Sequence, residues 1–407
     1  MKLPPKWALQ SLDDLVHELE AGVSVNGEDE PARPPEAGVL KVSAVSEGRF
    51  IPSENKRILG RDISRAATRP RKGSILVSRS NTPSLVGDSA LVTSEHGHLF
   101  LPDKLWQIVL KHPDQVATAW LAQVLQTQRV RTHLIRLATG TSDSMKNISK
   151  PAFLSLEIAC PTFPEQQKIA AILGTWDEAL EKLDALLAAK QRRKQALMQQ
   201  LLSGKRRLPK TSGVWQRRRL GSLLEPITRP VPKPNASFLA AGVRSHGRGI
   251  FLKRDFEPKD IALEELYEIR TDDLVVNITF AWEGAVAIVP PEANGALVSH
   301  RFPAFRVNEA ESCLSFLRHY ILTKRFVFDC GLASPGGAGR NRVLSKTAFL
   351  DIELAVPPVA EQRRIGDILD AADAELRLLR RQRDALDQQK RGLMQQLLTG
   401  RLRVKPA

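Results

Sequence analysis

A short polar segment in the first half of the chain carries side chains that could bind nucleic acid. The segment, Arg79-Ser80-Asn81-Thr82, follows a β-like run and precedes a proline, so a surface loop is predicted. An arginine can hold guanine O6 and N7 with two hydrogen bonds, and an asparagine can do the same for adenine N6 and N7. The alternative is that Asn81 only caps a turn before Pro83.

A second polar segment lies further along the first half, between residues 141 and 147. It offers hydroxyl groups, an amide and one cation, which suit it to contacts with phosphate oxygens. The alternative is a loop that contacts solvent alone. Its candidate residues are Thr141, Ser142, Ser144, Lys146 and Asn147.

The second half contains a comparable segment, SPGGAGRNR, at residues 334–342. Glycines let a backbone approach a phosphate closely, and Arg340, Asn341 and Arg342 supply hydrogen-bond donors. The glycines lack the G-x-G-x-x-G spacing of a dinucleotide-binding loop. Contact with nucleic acid is therefore the favoured interpretation of this segment.

Four further candidates in the second half lie on or near β-like runs, and they are Asn277, Thr279, His300 and Arg301. His300 could also be an ordinary strand residue whose hydrogen bonds are satisfied. The nearby Trp282 could stack on a base, but a lone tryptophan is more often packed in a core. Trp282 is therefore assigned to the core.

The balance of charges favours a polyanionic partner. The formal net charge is +15 at pH 7 and the pI is near 9.9. Neutralising phosphates releases condensed counterions, which drives binding to nucleic acid. Because the basic residues are spread along the chain, an anionic membrane is disfavoured. The chain has no long apolar run and no apolar N-terminal segment, so a cytoplasmic protein is expected.

The chain lacks several motifs that an enzyme acting on DNA or nucleotides would need. It has no P-loop, no Asn-Pro-Pro-Tyr motif for a flipped adenine, and no cysteine or histidine spacing typical of zinc. Asp272-Asp273 is interpreted as the turn before a strand. We therefore expect no catalytic residue, no metal and no cofactor in this chain.

The strongest internal signal is a duplication. A stretch of 56 residues beginning at Phe153 recurs without a gap 196 residues later, with 23 identical positions. Around the two copies the chain divides into a first variable domain, a first frame, a second variable domain and a second frame. These blocks span residues 1–152, 153–208, 209–348 and 349–407.

Both variable domains are predicted to be mixed α/β. Short β-like runs occur in each of them, for example near residues 75 and 275. Two segments, Trp120–Arg131 and Cys313–Phe328, have the pattern of short amphipathic helices.

Each frame has a heptad pattern of apolar residues, which predicts a coiled coil. The d and a positions of the first frame start at Ile169 and Leu173, and the second frame repeats them 196 residues later. Both helices should end at a glycine in the left-handed conformation, Gly204 in the first frame and Gly400 in the second.

Four cations interrupt the apolar seam, namely Lys190 and Lys194 in the first frame and Arg383 and Lys390 in the second. They are interpreted as differently placed in the two copies. A cation at such a position can fix the register or meet an acidic partner. The alternative is a frayed or solvent-open section of the helix pair.

The frames resemble those of the specificity subunits of type I restriction–modification enzymes. The resemblance is carried by FLSLEIACPTFPEQQKIAAIL and FLDIELAVPPVAEQRRIGDIL, and by the helix tails LMQQLLSG and LMQQLLTG. In the variable domains it is carried by ILVSRSNTPSLVGDSALV, TGTSDSMKNIS, LVVNITFAWEGAVAIV and LVSHRFPAFRV. Together these segments cover nearly the whole chain in the order typical of the family.

The resemblance implies two α/β target recognition domains separated by two long helices that form an antiparallel coiled coil with pseudo-twofold symmetry. Each domain would read one half of a bipartite, asymmetric sequence in double-stranded DNA. The resemblance also implies two methyltransferase subunits and endonuclease/translocase subunits as partners, with catalysis outside this chain. The expected partner contacts are the seam cations and the residues Glu165, Gln166, Glu361 and Gln362.

A function of a different class is a coiled-coil adaptor whose domains bind protein, with the basic charge incidental. Cationic segments at matching places before both frames distinguish the two functions, because an adaptor does not need them.

Overall fold

The structure of the chain is a computed structural model that describes residues 3–142, 145–336 and 342–404. The chain divides into two compact units. Unit 1 comprises residues 1–183 with 382–407, and unit 2 comprises residues 184–381. Each unit therefore contains one variable domain and part of each long helix.

Two long helices, of 39 and 40 residues, stand out among shorter ones in the described residues. The helices are α1 Leu12–Leu15, α2 Thr118–Leu125, α3 Gln128–Leu137, α4 Lys150–Leu154, α5 Phe163–Leu201, α6 Leu220–Leu223, α7 Leu314–Tyr320, α8 Lys324–Leu332, α9 Lys346–Leu350 and α10 Val359–Leu398.

Short strands make up most of the remaining regular structure. In the first half they are β1 Ala8–Ser11, β2 Val16–Ala21, β3 Gly27–Glu28, β4 Gly38–Leu40, β5 Val45–Ser46, β6 Arg49–Phe50, β7 Asn55–Ile58, β8 Ile75–Ser78, β9 Ser80–Asn81, β10 Ser89–Leu91, β11 Leu99–Phe100, β12 Leu105–Leu110, β13 Thr139–Ser142, β14 Met145–Asn147 and β15 Glu157–Cys160. In the second half they are β16 Gln216–Arg219, β17 Leu224–Ile227, β18 Pro230–Pro232, β19 Phe238–Val243, β20 Ile250–Phe256, β21 Glu265–Glu268, β22 Leu274–Val276, β23 Val286–Ile288, β24 Leu297–Val298, β25 Ala304–Val307 and β26 Glu353–Val356.

The two units share one sheet topology. Unit 1 has an antiparallel sheet in the order β10-β8-β12-β2, and unit 2 has its counterpart in the order β23-β22-β25-β17. A separate antiparallel pair, β1 with β15 or β16 with β26, joins the start of each variable domain to the strand before each long helix. The mixed α/β fold predicted for both domains is confirmed.

Each predicted amphipathic helix of the variable domains is broken into two. Trp120–Arg131 falls on α2 and α3, and Cys313–Phe328 falls on α7 and α8. A threonine turns the chain at each break: the hydroxyls of Thr127 and Thr323 donate to the carbonyl three residues earlier, both at 2.7 Å. Such side-chain bonds compete with the helical ladder, so one long helix is replaced by two short ones.

A core of aromatic and aliphatic side chains fills each unit. Trp106 and Phe153 lie in the core of unit 1 with ring centroids 5.8 Å apart, and Phe305 and Phe349 lie in that of unit 2 at 5.5 Å. Phe153 and Phe349 are repeat equivalents, and both are fully buried. The same aromatic residue therefore anchors the start of each frame.

The long helices pack against each other in an antiparallel sense within each unit. In unit 1 the start of α5 packs on the end of α10, and in unit 2 the end of α5 packs on the start of α10. Every predicted a and d position is buried or half-buried. Gly204 and Gly400 follow the helices with φ of 71° and 70°, in the left-handed region. The coiled coil and its glycine ends are confirmed.

Candidate nucleic-acid interface

In unit 1 the two polar segments predicted from the sequence lie together in one small sheet. Strand β14 pairs with β9 on one side and with β13 on the other. In this register Lys146 lies opposite Asn81, and Asn147 lies opposite Ser80. The first segment is thus a short strand rather than the predicted loop. Thr141 and Ser142 lie in β13, and Ser144 falls outside the described residues.

The Asn81 side chain makes local hydrogen bonds at the end of β9. Its side-chain amide donates to Ser78 Oγ at 3.2 Å, and its oxygen accepts from the backbone N–H of Thr82 at 2.8 Å. An asparagine side chain has two donors and two acceptor lone pairs. One donor and one acceptor of Asn81 therefore remain for a ligand.

The two cations of this surface, Lys146 and Arg79, contact other parts of unit 1. Lys146 Nζ donates to the carbonyl of Gly140 at 2.8 Å. The Arg79 guanidinium lies 5.9 Å from the centre of the Trp106 ring, and its Nε is buried with no hydrogen-bond partner in the described part of the chain. Ser80 is buried, whereas Thr82 is exposed. Arg79 thus joins the core to this surface.

In unit 2 four of the predicted residues lie close to the end of β22. Asn277 accepts a hydrogen bond from the backbone of Thr279 at 3.1 Å, and Arg301 donates to the Thr279 hydroxyl at 3.4 Å. His300 and Arg301 are exposed. Arg301 forms no ion pair with an acid of the described residues, so most of its guanidinium is open to a ligand.

Trp282 is part of this surface, contrary to its assignment to the core. The residue is half-buried, and its Nε1 donates to the carbonyl of Thr279 at 3.1 Å. The Arg342 guanidinium lies 5.5 Å from the centre of its ring, within cation–π range. Arg340 and Asn341 fall outside the described residues.

The two surfaces are attached to their sheets by the same backbone bonds. Arg79 follows strand β8, and its carbonyl accepts from Ile148 N at 2.9 Å; Ile278 follows strand β22, and its carbonyl accepts from Leu344 N at 2.8 Å. Directly after them, serine side chains cap α4 and α9. The polar segments therefore occupy matching structural positions. The shared Ser-Lys-x-Ala-Phe-Leu shows that the repeat starts four residues earlier than predicted.

The glutamates predicted to contact partner subunits bind within their own units. Glu165 accepts hydrogen bonds from Trp7 Nε1 at 3.0 Å and from Arg403 at 2.7 and 3.0 Å. Its repeat equivalent Glu361 accepts from Arg207 at 2.6 and 3.2 Å. These bonds raise the pKa of both arginines. Each helix start is thus joined to the tail of the other frame.

The glutamines of the same motif are also internal. Gln166 is 3% exposed and accepts from Ala117 N at 2.9 Å, and Gln362 is fully buried and accepts from Ser312 Oγ at 2.8 Å. The prediction that the Glu-Gln pairs face partner subunits is therefore corrected: the glutamates join each frame to the tail of the other, and the glutamines join the frames to the variable domains.

The cationic seam residues have acidic neighbours inside the chain. Lys194 binds Asp373 at 2.5 Å in unit 2, and Lys390 binds Asp177 at 2.5 Å in unit 1. Lys194 and Lys390 are repeat equivalents, as are Asp177 and Asp373, so the seam cations are not all differently placed as predicted. Each pair fixes the register of the antiparallel helices.

The two remaining seam cations differ between the copies. Lys190 pairs with Glu375, and Arg383 lies 3.6 Å from the carboxylate of Asp384. Neither a solvent-open section of the helix pair nor an acidic partner is thus required to explain any of the four cations.

One junction between a variable domain and the helix pair differs in chemistry. In unit 1 Gln123 donates to Asp177 at 2.7 Å. In unit 2 the equivalent residue is His319, whose Nε2 lies 2.9 Å from Asp370 and whose Nδ1 lies 3.8 Å from Asp373. Burial lowers the pKa of His319 below its ordinary value, although both aspartates favour the charged form.

The described residues contain neither a cluster of metal ligands nor a membrane-spanning helix. No group of three or more histidine, cysteine or carboxylate side chains is arranged to hold a metal ion there. No helix in that part of the chain is long and apolar enough to cross a membrane.

Sequence reasoning missed one basic element next to the unit 2 surface. The segment Arg244-Ser-His-Gly-Arg-Gly249 forms the turn between β19 and β20. Backbone N–H groups of His246 and Gly247 donate to the carbonyls of Glu283 and Gly284, at 2.7 and 3.1 Å. Three basic side chains interleaved with glycines in six residues are the signal that could have revealed it.

Known proteins resemble this chain in sequence and in fold. A relative from Escherichia coli, the type I restriction enzyme EcoEI specificity subunit, is 26% identical over 47% of this chain but only 32% of its own length. A putative type I restriction enzyme MjaX specificity subunit from Methanocaldococcus jannaschii is 20% identical over 99% of this chain and 95% of its length.

Solved structures share the fold. The type I restriction-modification S subunit from M. genitalium has a TM-score of 0.61, with 17% identity over 98% of both chains. A structure from a study of assembly and conformational transition of the type I restriction–modification system has a TM-score of 0.57, with 18% identity over 99% of this chain and 100% of the other.

The family defined by the type I restriction modification DNA specificity domain matches twice, at residues 10–189 and 215–388. The two matches cover most of the chain, and each contains most of one variable domain and the larger part of the long helix that follows it. The chain therefore belongs to the specificity subunits of type I restriction–modification systems and carries two DNA specificity domains.

Proposed function

We propose that each unit of this specificity subunit reads one half of a bipartite, asymmetric DNA sequence. The observation that carries the proposal is the matched attachment of two polar surfaces of different composition. Each surface is attached after the corresponding strand of its own sheet, which is β8 in unit 1 and β22 in unit 2. The unit 1 surface offers Arg79, Asn81 and Lys146, whereas the unit 2 surface offers Arg301 and Arg342. Equal placement with unequal side chains suits two modules that read different bases.

In unit 1, base contact falls to Arg79 and Asn81, and phosphate contact to Lys146 and the hydroxyls of Thr82, Thr141 and Ser142. Arginine and asparagine are the side chains that discriminate guanine and adenine in the major groove. Hydroxyls and lysine hold the backbone and fix the register on the duplex.

In unit 2, Arg301 and Arg342 take the leading part, with Asn277, Thr279 and His300 around them. The Arg342 guanidinium lies 5.5 Å from the centre of the Trp282 ring, and this contact restricts its position. An arginine positioned in this way loses less conformational entropy when it binds.

Catalysis belongs to other subunits in this proposal. Two methyltransferase subunits would dock on the frames and methylate adenines, and endonuclease/translocase subunits would join them. The length of α5 and α10 would set the spacer between the half-sites. The docking contacts lie elsewhere than on Glu165, Gln166, Glu361 and Gln362, because these four side chains are buried in their own units.

The proposal is tested by DNA binding of the chain assembled with its methyltransferase subunits. Target duplexes come from sequences found methylated in cells that express the complex, and random-sequence duplex serves as competitor. We expect target to be bound at least about 1000-fold more tightly than random duplex. Equal competition by random DNA would favour the adaptor function instead.

A further inference from the structure

Besides the four-stranded sheet that the two units share, each unit has another sheet, and these two sheets differ in how one strand is covered. In unit 1 the order is β11-β4-β7-β3, and in unit 2 it is β18-β21-β24-β19-β20. Strands β4 and β19 correspond, because each pairs in parallel with the strand that comes directly before β12 or β25 in the chain, and antiparallel with one further strand, which is β7 in unit 1 and β20 in unit 2. Strand β7 is therefore matched by β20. However, β7 is covered by β3, whereas β20 lies at the edge of its sheet.

In unit 1 an acidic segment neutralises the cations of the covered strand. Arg57 on β7 pairs with Glu28 and with Glu36, the latter at 3.2 Å. Lys56 lies 3.6 Å from Asp29. These cations are already occupied by the chain's own carboxylates, so they have little to offer a phosphate.

In unit 2 the β19–β20 hairpin carries cations that are not held in ion pairs within the described part of the chain, although Asp255 follows Arg254 on β20. Arg244 and Arg248 lie in its turn and Lys253 and Arg254 on β20, and all four are exposed. None forms an ion pair with a carboxylate of the described residues. Arg244 lies 5.4 Å from the centre of the Phe251 ring, and Lys253 lies 5.2 Å from that of Phe256. Aromatic rings thus orient two of the cations while leaving their charge uncompensated.

The hairpin is fixed beside the candidate surface of unit 2. A 3₁₀ helix, Ala281–Glu283, lies between the two. Its Trp282 faces Arg342, and the carbonyls of Glu283 and Gly284 hold the hairpin turn. Arg342 and the turn of the hairpin therefore both contact the three-residue stretch 282–284. A duplex that contacts Arg342 would pass close to the hairpin.

We propose that the β19–β20 hairpin is a DNA-backbone contact that unit 2 has and unit 1 lacks. Its cations bind phosphates of the duplex next to the half-site read by unit 2, without selecting bases. This inference rests on the proposed function, because it needs DNA on the unit 2 surface. Its chemistry is charge neutralisation, in which each phosphate contact releases condensed counterions.

A competing explanation is that the cations only protect an edge strand. Lysine and arginine on an exposed edge discourage pairing with another chain. That role needs no DNA and leaves the salt dependence of DNA binding unchanged. The two explanations therefore predict different results in one measurement.

The test is the salt dependence of binding of a random-sequence duplex to the complex with its methyltransferase subunits. The variant is Arg248→Gln/Lys253→Gln, and the matched control on the covered strand is Lys56→Gln/Arg57→Gln. Both remove two positive charges. Between about 50 and 200 mM salt, we expect the slope of log K against log [salt] to fall by about 2 in the hairpin variant. The control should keep the wild-type slope.

An unchanged slope in the hairpin variant overturns the proposal, as does an equal fall in both double variants, which would reflect total charge. The single variants Arg248→Gln and Lys253→Gln should each lower the slope by about 1, so the test remains decisive if the double variant does not assemble. The charge-keeping Arg248→Lys/Lys253→Arg should retain the wild-type slope. A wild-type complex without preference for target over random DNA would defeat the proposed function itself, before any variant is compared.

Discussion

The frames of the two halves share several individual ion pairs, whereas the surfaces attached to them differ. Glu165 with Arg403 in unit 1 matches Glu361 with Arg207 in unit 2. The cations of the two candidate surfaces follow no such rule. Arg79 of unit 1 is matched in unit 2 by Ile278, which has no charge.

This difference indicates which parts of the chain have a shared task. A buried carboxylate must keep its cation, because an unpaired buried charge is costly. Exposed side chains carry no such constraint, so they can differ from one half to the other without harming the fold. Substitutions at equivalent residues of the two units test this difference.

The largest effect is expected from the aromatic anchors of the frames. Phe153→Ala and Phe349→Ala each remove a fully buried ring, which should lower the free energy of unfolding by about 3–5 kcal/mol. Denaturant unfolding of the two variants measures this loss. Because the residues are repeat equivalents in similar cores, the two losses should agree within about 1 kcal/mol. A large inequality would show that the frames are not equivalent in energy.

A smaller effect is expected from the seam pairs. Lys390→Ala leaves Asp177 with Gln123 as its remaining partner, and Lys194→Ala leaves Asp373 beside His319. Each substitution should cost about 1–2 kcal/mol, since both carboxylates are partly exposed. The exchange Lys390→Asp with Asp177→Lys should recover part of the loss in a double-mutant cycle. No recovery would mean that the pair does not act as a unit.

The smallest effect is a pH dependence carried by unit 2. The pKa of His319 is lowered in the folded chain from its ordinary 6.5, so the unfolded chain binds the proton more readily. Stability from this group is therefore present above pH 6.5 and is lost as the pH falls below that value. The loss is at most about 1.4 kcal/mol per pH unit. Asp370, Asp373, Lys194 and Arg318 face or flank this histidine.

His319→Gln gives unit 2 the residue that unit 1 has at this place. Unfolding measured at a series of pH values should show a shallower acid loss in the variant than in the wild type. Equal pH profiles would contradict a role for His319. Gln123→His is the converse variant and should steepen the acid loss through unit 1.

Much of the fold was predictable because the repeat and the heptads are local and periodic. The a and d positions are spaced by the helix itself, so burial at Ile169 or Leu397 follows from the sequence alone. The partners of Glu165 and Lys194 were not predictable, because Arg403 and Asp373 are more than 170 residues away along the chain. The same distance hid the equivalence of Lys194 and Lys390, whose shared offset of 196 residues was the available signal.

The candidate surface was predicted in part for a similar reason. Arg79 and Lys146 were each recognised from their own segments, but their meeting in one sheet depends on pairing between β9 and β14. Trp282 was misassigned because its contact with Arg342, sixty residues further along the chain, cannot be read from the local sequence. The basic turn at Arg248 was missed because its importance depends on cations that form no ion pair in the described residues, and ion pairing cannot be read from the sequence.

The measurement that tests the central claim most directly is a map of methylated adenines in cells that express the complex with Arg79→Ala or with Arg342→Ala. The wild type should give one bipartite motif with two different halves. Arg79→Ala should relax base preference in one half only, and Arg342→Ala in the other only, by about 1–3 kcal/mol of discrimination. A motif with a single half, or a variant that alters both halves alike, would contradict reading by two independent units.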